Sequence, residues 1–348
     1  MQSKNFLKAA ILTIAIVIAF LFFWEGYWRS RGFTISYNDG KQLWAEQRKH
    51  IYEPADQSTV FIGSSRIKFD LDLPTWKALT GEHPVQLAMV GTSPRPLLDD
   101  LANDEQFKGK LIIDVTEPLF FSRNTMRTGR RAKEGIDFYK KATPSERAST
   151  CIDFGLESEI VFLEEEKFAL NELLDRIPLA KRPGVFEVPP FPLEFEENSY
   201  DRMSFMTPMF VNDTLLQRRQ IENWKILGAL DTTPAIKGDS LESVFKEVKT
   251  CIDKIRSRGG EVMFVRTPSS GGYLETEHKV FPRDEYWNRL LEYTNTPGIY
   301  FSDYPEIASF TCPEWSHLSP KDRITYTENL VQILRQKGWT FPLNASVQ

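Results

Sequence analysis

The sequence predicts an α/β fold built on a parallel, doubly wound sheet, preceded by a single membrane-spanning helix. Three observations predict it. Short runs of β-forming apolar residues alternate with helical stretches, these runs exit into glycine and polar residues, and one unbroken apolar segment lies within the first thirty positions. At the carboxyl end of a parallel strand, backbone N–H groups point into the crevice where such folds bind ligands. A serine or arginine at those exits is therefore a candidate functional residue.

The first element is the anchor. Ala9–Trp24 is apolar throughout apart from Thr13, and Phe6–Trp28 supplies the ~20 residues that a bilayer crossing needs. Trp24, Tyr27 and Trp28 form an interfacial aromatic belt. A cleaved signal peptide is the alternative, but bulky and charged residues follow the run with no small-residue cleavage site. Lys4 and Lys8 on one side face Arg29, Arg31 and Lys41 on the other, so charge does not choose an orientation. Residues 1–31 are read as the anchor and 32–57 as a linker. The linker carries a short helix over Gly40–Tyr52, with Leu43, Trp44, Gln47 and Ile51 on one side. Residues 58–340 form the main domain.

The domain opens with the strand Ser58–Ile62, which ends on Gly63-Ser64-Ser65 and offers two competing hydroxyls. A helix starting at Pro74 and stopped by Gly81 leads to a second strand, Val85–Val90, which ends on Gly91. The helix Pro96–Asn103 and the strand Lys110–Val115 continue the alternation. From about 119 to 236 the pattern breaks, which marks an insertion. Glu157–Ile177 has helical spacing beside the acidic run 164–166, and 181–208 is a proline- and aromatic-rich loop suited either to cover a site or to fill surface grooves. Regular structure resumes with the helix Ser240–Ser257 and the strand Glu261–Val265. The exit of that strand carries Arg266, whose guanidinium suits either a substrate carboxylate or phosphate or a structural ion pair. The helix Pro282–Thr294, the strand Gly298–Asp303 and the terminal helix Lys321–Lys337 complete the chain.

Composition narrows the function. A net charge of −5 and a pI near 5.6 argue against a nucleic-acid partner, which needs a clustered basic face. Cys151, Cys251 and Cys312 are too few for a disulfide framework or a Cys-x-x-Cys metal site, although one disulfide plus a free thiol is compatible with them. No cofactor and no metal are expected. Of four histidines, His317 alone follows the last strand, within Cys312-Pro-Glu-Trp-Ser-His317-Leu318. Cys312 offers a rival nucleophile in the same loop.

Gly63-Ser64-Ser65 after the first strand, Gly91 after the second and Glu314-Trp315-Ser316-His317-Leu318 after the last resemble, in order, three blocks of the SGNH (GDSL-like) hydrolases. The resemblance implies a three-layer α/β/α sandwich with Ser65 as nucleophile, His317 as base and Glu314, in place of the family's aspartate, as the group that orients the base. It also implies backbone N–H donors at Ser65 and Gly91 for the oxyanion. The family's remaining block, Gly-x-Asn-Asp, is missing; Asp114-Val115-Thr116-Glu117 stands there, and Thr116 or a neighbouring N–H is left to replace the asparagine. By this resemblance the protein is a membrane-anchored serine esterase or O-acyltransferase with its domain outside the cytoplasm. Its substrates would be acyl esters, acetyl above all, of envelope or exported glycans, or small esters. Anchored relatives sometimes partner a multispanning membrane acyltransferase. The other class kept open is an inactive SGNH-like scaffold or glycan-binding protein.

Overall fold

The computed structural model describes residues 2–123, 128–177, 186, 188–231 and 233–342. Five parallel strands form the central sheet: β1 Ser58–Ile62, β2 His83–Gln86, β3 Lys110–Asp114, β6 Glu261–Arg266 and β7 Gly298–Tyr300. A separate antiparallel hairpin, β4 Glu196–Asn198 and β5 Ser204–Met206, lies within the predicted insertion. The order across the main sheet is β2-β1-β3-β6-β7, so the direction of winding reverses between β1 and β3. In such folds the carboxyl ends of the two strands at a reversal are where ligands bind. Both are buried at every position, as strands covered on two faces must be.

Helices flank the sheet, and their ends follow local chemistry. The helix α1 is Gln2–Ser30, α2 Lys41–Arg48 and α3 Ser65–Asp70. The next, α4 Leu73–Thr80, starts where Asp72 accepts from Thr75 N at 3.0 Å, and it ends on Gly81 at φ +75°, a left-handed conformation that glycine adopts without a side-chain clash. The helix α5, Arg95–Asn103, packs with Asp239–Ser257, while α3 and α4 pack against the C-terminal helix Pro320–Gln336.

Most predicted strands and flanking helices appear within a few residues of their expected ends; the second strand, expected over Val85–Val90, instead runs His83–Gln86 and ends five residues before Gly91. Two corrections concern the insertion. Glu157–Ile177 is not one helix: Glu157 closes a helix that begins at Pro144, and a 3-10 turn and two single-turn helices follow. A capping box between Thr143 and Glu146 fixes the earlier start. Thr214–Leu230, begun by the Asp213 cap, is a helix that periodicity did not reveal. Of the aromatic loop, residues 178–185 and 187 lie outside the described residues.

Among the described residues one helix, Asn5–Ser30 within α1, is long and apolar enough to cross a membrane, with a mean hydropathy of 2.6 and no burial in its apolar window. Its end is tied to the insertion. Glu25 accepts from Val161 N at 3.0 and 3.1 Å, Arg29 Nη2 donates to Glu159 O at 2.9 Å, and Trp28 joins a buried cluster with Phe33, Val161 and Phe168.

Candidate active site at the β1 and β3 exits

The turn after β1 is dictated by close packing. A Cβ on Gly63 would stand 2.6 Å from the Asp114 Cβ and 2.7 Å from a methyl of Ile67, so only glycine lets the β1 exit pass the β3 exit. Ser64 then stands at the N-cap position of α3, without a side-chain cap bond, and Ser65 begins the helix. The structure separates the two hydroxyls. Ser64 is 1% exposed, with its Oγ 2.6 Å from Thr116 Oγ1, and Thr116 donates in turn to Asp114 Oδ2 at 2.9 Å. Ser65 is partly exposed, and its Oγ has no hydrogen-bond partner among the described residues. Thr116 was one replacement for the missing asparagine, but its single proton goes to Asp114. Gly91 follows β2 at φ +61° and is exposed, with open space where a side chain would stand.

The histidine loop is folded around Glu314. Its Oε1 accepts from His317 N at 2.7 Å, Ser316 N at 3.3 Å and His317 Nδ1 at 2.9 Å. Its Oε2 accepts from Trp224 Nε1. The reversal that lets one carboxylate meet both the backbone and the ring needs a left-handed residue, and Trp315 takes that role at φ +79°. Its indole lies over Gly271 and Gly272, where a Cβ on Gly272 would stand 2.9 Å away. Ser270 Oγ, at the exit of β6, accepts from Cys312 N at 2.9 Å.

The loop is then pressed onto α3. The His317 ring stacks on Phe69 with centroids 4.2 Å apart, Leu318 N donates to Asp70 Oδ1 at 2.8 Å, and Arg66 Nε reaches Ser316 Oγ at 3.5 Å. Phe69 is one helical turn after Ser65, so the stack sets the imidazole along the face of α3 that begins at Ser65. The ring of Phe195, from the aromatic loop, lies 6.1 Å from His317, and Trp224 lies 6.3 Å away. His317 is left 2% exposed, and its Nε2 is buried without a hydrogen-bond partner among the described residues. The structure thus brings Glu314 and His317 into direct contact and docks both on the serine helix, with no hydrogen bond formed between Ser65 and His317.

Beneath the turn lies a buried ionic network. Arg266 is 0% exposed; its guanidinium donates to Glu117 at 3.2 Å, Ser269 Oγ at 2.8 Å and Thr267 O at 2.6 Å, and it pairs with Glu277. Each of its three nitrogens reaches protein, so of the two readings open for Arg266 the structure shows the structural ion pair. Against a large burial penalty, Arg66 and Arg266 hold the Glu277 carboxyl below the usual range. Asp70 has the opposite balance: burial, with Asp114 and Glu314 nearby, pushes its carboxyl well above the ordinary aspartate value. Burial also raises the Asp114 carboxyl. Cys312 is unsuited to the nucleophile's role, because burial and the nearby Asp70 and Glu314 charges raise its thiol well above normal. All three cysteines are free.

Sequence reasoning missed Phe69, Asp70, Asp114 and Trp224. An aspartate ending an apolar strand was the one available signal, at Asp114. Trp224 reaches Glu314 from a distant helix, which no local pattern encodes. No protein-family model matches this chain, and a search of curated proteins finds no similar sequence.

Proposed function

We propose that the protein is a membrane-anchored serine acyl-ester hydrolase or O-acyltransferase of SGNH type, acting on acyl esters of envelope or exported glycans. The observation that carries this reading is the orphaned Nε2 of His317. The ring is fixed through Nδ1 by Glu314 and docked on the helix that Ser65 begins, and its second nitrogen is left without a partner. That is the arrangement of a general base awaiting a proton. Catalytic hydrogen bonds are often unformed in a ligand-free site, so the missing Ser65–His317 bond is compatible with it.

In the proposed reaction Ser65 Oγ attacks the ester carbonyl carbon while His317 Nε2 takes the hydroxyl proton. The tetrahedral oxyanion faces the N–H groups of Ser65 and Gly91. It collapses to a seryl ester as the alcohol leaves with the proton from His317. Water then regenerates the serine, giving an esterase, or a sugar hydroxyl takes the acyl group, giving a transferase. Glu314 holds the imidazole orientation throughout and stabilises the imidazolium. One observation favours the scaffold alternative: the Thr116 hydroxyl is committed to Asp114, and one oxyanion donor fewer costs ~10²–10³ in rate.

Fluorophosphonate labelling of the full-length protein in detergent, with the modified residue located by mass spectrometry, separates the two readings. Labelling is expected on Ser65. Ser65→Ala should abolish it and lower turnover of acetylated sugars by on the order of 10³-fold or more, whereas Ser64→Ala should keep most of both. An intact parent that does not label, and whose turnover equals that of Ser65→Ala and His317→Ala, would leave the scaffold in place of the enzyme.

A further inference from the structure

At the amino-terminal end of the sheet, remote from Ser65, three side chains that the proposed chemistry does not use converge. His50 lies in the 3-10 turn Lys49–Tyr52, and Glu53 follows it, donating its N–H to His50 O at 3.2 Å. A 3-10 turn has about three residues per turn, so side chains at i and i+3 eclipse one another. Glu53 Oε1 consequently sits 3.1 Å from His50 Nδ1. His83 arrives from a different segment. It is the first residue of β2, paired with Ser58 in the ladder and donating its N–H to Gln57 O at 2.8 Å. Its Nδ1 stands 2.8 and 3.0 Å from the two oxygens of Glu53. The imidazole rings meet edge to face with centroids 5.0 Å apart, and one ligand atom from each residue lies within 4.8 Å of the other two.

We infer that His50, Glu53 and His83 form a binding site for a divalent transition-metal ion of zinc type, with the remaining position open to water. Two imidazoles and one carboxylate are a borderline-soft donor set, which suits zinc and its first-row neighbours; calcium and magnesium prefer all-oxygen shells. Two of the three donor pairs are also spaced near those of a filled site. Two metal bonds of about 2.0–2.1 Å at a tetrahedral angle hold their donor atoms about 3.3–3.4 Å apart. The His50–Glu53 and His83–Glu53 pairs need to open by about half an ångström or less to reach that spacing. Both imidazoles present Nδ1 to one carboxylate. An ion between them satisfies all three groups at once. The side chains are 42%, 32% and 32% exposed, which leaves the site open to solvent. The ion would clamp the linker turn, which follows α2, to β2, an edge strand held by the ladder on one side only.

The test uses the full-length protein in detergent, with any purification tag removed and the metal stripped by a chelator. Isothermal titration with Zn²⁺ should give one site with a dissociation constant on the order of micromolar or tighter. Zinc should raise the melting temperature, and Co²⁺ should give the visible absorption of a four-coordinate site. His50→Ala, His83→Ala and Glu53→Gln should each weaken binding at least tenfold while keeping the metal-free melting temperature of the parent, and His278→Ala should bind as the parent does. Absence of binding below millimolar zinc overturns the inference. So does tight binding that survives all three substitutions, since that places the ion elsewhere.

Discussion

Glu314 carries four contacts on two oxygens: two backbone N–H groups of its own loop, the imidazole it orients and the indole of Trp224. Removing its charge without its volume therefore tests orientation directly. Glu314→Gln should slow fluorophosphonate labelling of Ser65 by on the order of 10³–10⁴-fold with the fold retained by circular dichroism. Glu314→Asp keeps the charge on a shorter arm and should recover part of the rate. Asp303, the other acid near the end of the sheet, is bound by Arg283 at 2.6 Å through both oxygens and is not free to substitute. Labelling rates equal to the parent's in both variants would therefore remove Glu314 from the mechanism.

At the scale of elements, α3 organises the site although it is only six residues long. It starts with Ser65, stacks Phe69 on His317 and ends on Asp70, which receives Leu318 N from the histidine loop. Asp70 Oδ2 is buried with no partner among the described residues, in keeping with the burial that raises its carboxyl well above the ordinary aspartate value. A native pKa above the unfolded value of about 3.9 means that the folded chain binds this proton more tightly. The stability gained from it is complete below the ordinary aspartate range and is lost as pH rises through the raised native value. Asp70→Asn keeps an acceptor for Leu318 N and cannot ionise. Urea unfolding at a series of pH values should show the variant gaining on the parent as pH rises above about 4. A constant difference across that range would mean that Asp70 ionises normally.

At the scale of the molecule, α1 joins the domain through a fixed contact. Glu25, Trp28 and Arg29 engage the insertion directly, so the domain stands against the end of the apolar helix. If α1 crosses the bilayer, alkaline carbonate should leave the full-length chain in the membrane pellet, and its amino terminus should be that of the intact sequence. Recovery in the supernatant would argue against a span, and a mature chain beginning after residue 30 would identify a cleaved signal instead.

The elements of the sheet were legible because each rests on local chemistry. Ser58–Ile62 is a short apolar β-forming run, Asp72 and Gly81 punctuate α4, and Ser319 caps the last helix by accepting from Asp322 N at 3.1 Å. Glu314 and His317 were legible as a pair because they stand three positions apart in one loop, and the structure shows them in contact. The insertion was less so, since its short helices take their conformation from packing against α1 and the sheet domain rather than from their own periodicity. Only tertiary structure decided that Ser64 is buried on Thr116 while Ser65 stays open, and that Arg266 is spent on Glu117 and Glu277. It alone brought His83 to His50 and Glu53. The reason is common to all three: burial and partner choice depend on segments far apart in the chain, and local patterning carries no information about which distant groups will meet.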